Sequence, residues 1–268
     1  MNITTTDDVT AAARRFLHLW ITMLGLTDRP DRTHVEQLVK DAYRAAGLHH
    51  PRRIVWCSSP LAMTWVRSIT TDIWQEQVGQ DVRSLLIQDP LRRTWPGILR
   101  KMSREFRQDL RTCLEGGLKD AVRAREQALW DALADAVVMP FDDMGPGLQA
   151  AIVESLESCG LRQTAAIRDN YGSGGVIRGQ VEDHAITLAF LRRRLGLVAE
   201  TQPIEPLIAL LQDAHAFIAH ENVCWISEPP TVVADDCLRY GDGWTIPISE
   251  TLRAWTREWA NGTPAVEA

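Results

Sequence analysis

Apolar positions along the chain recur at helical spacing in its first half and at strand spacing near its end. Phe16, Leu17, Trp20, Met23 and Leu24 follow Thr6, Asp7 and Asp8, which suit an N-cap, and Gly25 closes the segment. A second helix starts at Pro30 and Asp31, carries His34, Val35, Leu38, Val39, Ala42 and Tyr43 on one face, and stops at Gly47. Ile54, Val55, Trp56 and Cys57 are β-branched or bulky and lie between Pro51 and Ser58-Ser59-Pro60. They predict a short strand feeding a helix that Ser59 caps, with Pro60 in its first turn and Leu61, Trp65, Ile69 and Trp74 along it.

From Met102 the spacing changes: Met102, Phe106, Leu110, Leu114, Leu118 and Val122 recur at every fourth residue, and the register resumes at Trp130 and Val138. A four-residue step overshoots one helical turn by roughly 40°, so a straight helix would spread this stripe around its circumference. Either the helix is covered on several sides, or it bends or breaks, and Gly116-Gly117 is the natural break.

The turn-rich stretch 140–147, PFDDMGPG, separates a helical region, 1–140, from a mixed one, 141–268. Helical patterns return at 148–159, 181–195 and 206–219. Short strand-like runs follow at 223–226, 231–233, 238–240 and 244–246, with Asp235-Asp236 and Gly241-Asp242-Gly243 in turn positions. Trp255 and Trp259 suggest a closing amphipathic helix. The expectation is one domain, mainly α with a small antiparallel β-sheet near the C-terminus, an α+β fold.

Composition narrows the function classes. With 45% hydrophobic and 24% charged residues over 268 positions, the chain can bury a core and is not a disordered or fibrous sequence. A net charge of -6 offers no cationic excess for phosphates, so no nucleic-acid partner is expected. The first 20 residues lack the order of a signal peptide, and His18 and Thr22 interrupt the apolar stretch 17–26, so no membrane partner is expected either. Cys57, Cys113, Cys159, Cys224 and Cys237 are odd in number and form no CxxC pair, which suggests reduced thiols in a cytoplasmic protein. Ten tryptophans imply a bulky core or an aromatic-walled pocket.

Candidate chemistry falls in two places. The loop Tyr171-Gly172-Ser173-Gly174-Gly175-Val176-Ile177-Arg178-Gly179-Gln180 opens onto a helical run, so free N–H groups and the Arg178 guanidinium could grip an anion. Tyr171, Gly174, Gly175 and Arg178 are therefore candidate substrate-binding residues. The spacing matches neither GxGxxG nor GxxxxGK[ST], and the alternative is a connection in which Glu182 and Asp183 favour the helix start. His184 beside Asp183 suits a general base, against the alternative of a surface or satisfied core histidine. Near the C-terminus, Trp225, Glu228, Asp242 and Trp244 could receive a cationic or amine-bearing ligand between aromatic walls and carboxylates. The alternative there is a hairpin turn at Asp242-Gly243 with tryptophans plugging the sheet. His215 and His220, about 140° apart if helical, make a poor metal pair, and His49-His50 lacks partners; no metal and no cofactor are expected. No GxSxG elbow or cysteine-nucleophile signature points to covalent catalysis.

Four segments together resemble an uncharacterised bacterial family of unknown function. They are Tyr43-Arg44-Ala45-Ala46-Gly47-Leu48 running to Ile54-Val55-Trp56 and Ser59-Pro60, the four-residue apolar ladder, GVIRGQVEDHAITLAFLRRRL at 175–195, and VCWISEPPTVVADDCLRYGDGW at 223–244. In the third segment the glycine-glutamine-histidine-aspartate order of the family is displaced to Gly179-Gln180-Val181-Glu182-Asp183-His184, and the part between Pro230 and Gly243 is shortened. That family supplies no catalytic residues. In size, stand-alone architecture and lack of a standard enzyme motif, the chain is also similar to the larger partner of the protein pair that closes the aziridine ring in azinomycin-type antibiotic biosynthesis. This second resemblance implies a cofactor-free intramolecular displacement, in which an amine attacks a neighbouring carbon as sulfate leaves, with a small partner protein. Asp183, His184 or Glu228 would take the amine proton, while Arg178 and its glycine loop would receive the anion. The rival expectation is a non-catalytic scaffold that docks a partner chain through exposed tryptophans.

Overall fold

The computed structural model describes residues 30–102, 104, 107–108, 141–160, 189, 191–192, 196–214, 216–233 and 237–247. Helix α1, Arg32–Ala46, begins where Asp31 accepts hydrogen bonds from the Thr33 and His34 amides and ends at Gly47. Gly47 has φ +79, a left-handed conformation that closes helices and suits glycine. Strand β1, Arg53–Cys57, leads into α2, Pro60–Val78, whose N-cap Ser59 accepts from the Ala62 amide. The helical geometry of α2 is interrupted at Trp74 (φ -130, ψ 42).

From sequence no element is placed over 83–100, where the structure has helix α3, Arg83–Arg100, with Pro90 and Pro96 inside it. Packing outweighs the two lost amide donors. Val82, Leu86, Pro90, Thr94, Ile98 and Met102 are all buried, so the four-residue ladder seen from Met102 onward starts at Val82. A 3-10 turn, Phe141–Asp143, and α4, Pro146–Ser158, follow. Beyond them come a single helical turn, α5, Val198–Thr201, a 3-10 turn, Gln202–Ile204, and α6, Glu205–Asp213.

The predicted helix over 206–219 is corrected here: α6 stops at Asp213, Ala214 is extended, and Ala216–Ala219 form strand β2. His220 lies in a β-bridge with Asp81 and not on a helix, and His215 lies outside the described residues. Strand β3, Val223–Ser227, is the centre of a three-stranded sheet of order β1-β3-β2, parallel to β1 and antiparallel to β2. Short strands β4, Val232–Val233, β5, Cys237–Arg239, and β6, Thr245–Pro247, make a second, antiparallel sheet. The run 223–226 thus belongs not with the C-terminal strands but with the strand from the N-terminal third.

Helices cover both faces of the first sheet, and strand alternation sorts the core accordingly. Val55, Cys57, Ile218, Val223 and Trp225 pack with Leu61, Trp65 and Ile69 of α2 and with Leu148, Ile152 and Leu156 of α4. Cys224, Ile226 and Ala219 face the other way, into Val35, Val39, Tyr43, Leu86, Leu207 and Leu210. The α+β expectation holds. No helix among the described residues is long and apolar enough to cross a membrane.

Candidate functional site

A cleft of about 510 Å³ runs along the free edge of β1 and over the carboxyl ends of β1 and β3. Ligands in sheets with parallel strands characteristically sit outside those ends. Helix α4 leaves the space open because the residues it turns toward β1, Gly147, Ala150, Ala151, Ser155 and Ser158, are small and recur at helical spacing. Neighbouring positions Leu148, Ile152 and Leu156 point into the core and hold the helix in place. Ser155 hydroxyl donates to the Trp56 carbonyl at 3.3 Å, fastening α4 to the strand edge.

The charged part of the lining is mostly anionic among the described residues: three carboxylates, Glu154, Glu228 and Asp242, and one guanidinium, Arg32. Asp242 is 9% exposed, and both of its oxygens are engaged. Ser58 hydroxyl donates to Oδ2 at 2.7 Å and the Trp244 amide donates to Oδ1 at 3.0 Å, so the carboxyl group is oriented from both sides. Asp242 does sit in the turn that joins β5 to β6, with Gly243 at φ +89, and that turn also delivers it to the cleft. Gly147 makes the delivery possible, since a Cβ there would stand 2.7 Å from the Asp242 carbonyl oxygen.

Glu228 follows β3 directly, and its amide donates to the Cys57 carbonyl at 2.7 Å, continuing the parallel pairing. Its Oε1 accepts from Arg32 Nε at 2.9 Å and from Nη2 at 2.5 Å. The Arg32 guanidinium lies 5.2 Å over the Trp56 ring, and the Trp56 indole donates to Glu36 at 3.1 Å. Cys57 lines the cleft floor but is only 1% exposed, and burial pushes its thiol far above the usual range despite the hydrogen bond with Ser155, so it is no nucleophile.

Of the residues singled out from sequence, Glu228 and Asp242 meet in this cleft. Trp225 does not: it is fully buried in the core, paired with Val55 and Ile218, and its indole meets the His220 ring edge-on at 5.2 Å. Trp244 is half-buried, stacked on Tyr240 at 5.4 Å and packed against the core behind the turn. Tyr171, Gly174, Gly175, Arg178, Asp183 and His184 lie outside the described residues. Sequence reading missed Arg32, Trp56, Ser58 and Glu154. Their signals were present: a Trp and a Ser at a strand's carboxyl end, and a small-residue stripe at helical spacing interrupted by one glutamate. Among the described residues no group of three or more His, Cys, Asp or Glu is placed to hold a metal ion. Compared with known proteins, the chain matches no family model, no curated protein and no solved structure.

Proposed function

We propose that this protein binds a small, polar, amine-bearing substrate in the cleft at the carboxyl ends of β1 and β3 and acts on it without a cofactor. The observation that carries the reading is the charge of the cleft: among the described residues, Glu154, Glu228 and Asp242 against Arg32 alone, with Asp242 nearly buried and held by two donors. A cation entering there meets fixed acceptors at reduced solvent screening, which selects ammonium over carboxylate. Asp242 is the anchor, because two hydrogen bonds hold its carboxyl group in place in the cleft. Glu228 is the group to take a proton from the bound ammonium, since Arg32 engages only its Oε1. The deprotonated nitrogen is then a nucleophile. The intramolecular displacement expected above, with sulfate as leaving group, is the specific reaction we propose for it, and the donors assigned to that anion, Arg178 and its loop, belong to the segment outside the described residues.

The scaffold reading requires exposed tryptophans. Trp56, Trp65, Trp74, Trp95, Trp225 and Trp244 are all buried or half-buried, which favours the cleft among the described residues. Calorimetric titration with 1,4-diaminobutane and with succinate as the anionic control tests the proposal. Binding of the diamine alone is expected, weakened about ten- to a hundredfold in Asp242→Asn, the loss of a charge-assisted hydrogen bond. Preference for succinate, or an affinity indifferent to Asp242→Asn, would overturn it.

A further inference from the structure

The mouth of the cleft already holds a cation that belongs to the chain. Arg32 is the first residue of α1; its side chain is 60% exposed, whereas its partner Glu228 is 17% exposed. The two residues that receive its guanidinium are anchored from elsewhere, Trp56 by its indole and Glu228 by its backbone. Trp56 sits in β1 with its indole held by Glu36, and Glu228 is tied through its amide to Cys57. An aromatic face held by its own hydrogen bond and a carboxylate carried on an anchored backbone, occupied by the tip of a long and mostly solvated side chain, form a subsite with a displaceable occupant. The geometry is selective for shape as well as charge. A planar, delocalised cation can lie flat over the Trp56 ring while turning an N–H edge to Glu228, whereas a tetrahedral ammonium can satisfy only one of these contacts well.

We propose that Arg32 stands in for a planar cationic group of the ligand, a guanidinium or amidinium, which takes its place between Trp56 and Glu228 when the cleft is filled. This rests on the reading of the cleft as a cation site and adds the chemical class of the head group at its mouth. Arg32 is then a competitor that any ligand must displace, and the apparent affinity is reduced by the fraction of molecules in which it occupies the subsite. That competition also makes the mouth specific: a cation unable to match both the stacking and the hydrogen bonds does not displace it.

The test is calorimetric titration of methylguanidinium and methylammonium into the wild type, Arg32→Ala, Arg32→Gln and Arg32→Ala combined with Glu228→Gln. Because Arg32 is exposed, neither single substitution removes core contacts, and circular dichroism verifies that each variant is folded. Both single variants are expected to bind methylguanidinium about tenfold more tightly than the wild type, since a subsite open in about a tenth of molecules loses that factor. They are expected to prefer it to methylammonium, and to lose the gain when Glu228 is also replaced. No gain in either variant, or an equal gain for methylammonium, overturns the inference. Failure here with retained Asp242-dependent binding of 1,4-diaminobutane would leave the cleft reading standing. Loss of the Asp242 dependence would instead remove that reading, whatever Arg32 does.

Discussion

The residues that decide the site are small or charged, and their roles follow from distance more than from reactivity. Gly147 shows this most directly. The space beside it is filled by the Asp242 carbonyl, so Gly147→Ala must push the 241–243 turn away from α4. The predicted outcome is a destabilisation of about 1–3 kcal/mol in denaturant unfolding, the usual cost of forced overpacking, with loss of diamine binding. Unchanged stability together with unchanged binding would show that the turn has room to spare. Asp242 itself was legible as a turn residue, and the hairpin turn is what carries it to the cleft. Trp225 illustrates the opposite case. Its size made it a candidate pocket wall, yet in a three-stranded sheet covered on both faces the central strand has no open side, so the same size places it in the core.

Elements with their own punctuation could be read from sequence, and those whose identity depends on a distant partner could not. Helix α1 and the β1–α2 junction carry caps at Asp31, Gly47 and Ser59, which are local hydrogen bonds and therefore local signals. The pairing of β1 with β3 spans most of the chain and leaves no local mark, and α3 contradicts its own prolines because burial of its 82–102 ladder outweighs two missing amide donors. The turn between β2 and β3 is another long-range product. It is clasped to the end of α2 by Val82 amide to Ala219 carbonyl, Glu221 amide to Gln80 carbonyl and Asn222 amide to Val78 carbonyl. Within the clasp His220 is 3% exposed, and its Nδ1 donates to the Gly79 carbonyl at 3.0 Å, leaving Nε2 buried without a partner. Burial holds its pKa below the ordinary 6.5, against the opposing pull of the Gly79 carbonyl and Asp81. A histidine depressed in the folded state contributes stability that is complete above the unfolded value and is lost as pH falls below 6.5 toward the folded value. The thermal midpoint is therefore expected to fall across that acidic window in the wild type and to fall less in His220→Asn. Equal slopes would contradict a neutral, buried His220.

At the scale of the whole molecule, the layered arrangement explains why a cleft exists at all. Two helical layers close over the faces of the first sheet, and the order β1-β3-β2 leaves β1 at an edge. Along that edge α4 offers small side chains, while the second sheet brings its turn down over the strand ends. The resulting cavity is lined by five separate stretches of the chain, which is why two of its carboxylates were legible and its shape was not. Its central property, among the described residues, is an excess of negative charge beside one displaceable guanidinium. The most direct measurement is a crystal structure of the protein grown with 1,4-diaminobutane. The account predicts an ammonium nitrogen within hydrogen-bonding distance of Asp242 in the cleft beside Ser58. A diamine seated elsewhere, or an anion occupying the cleft in its place, would contradict it.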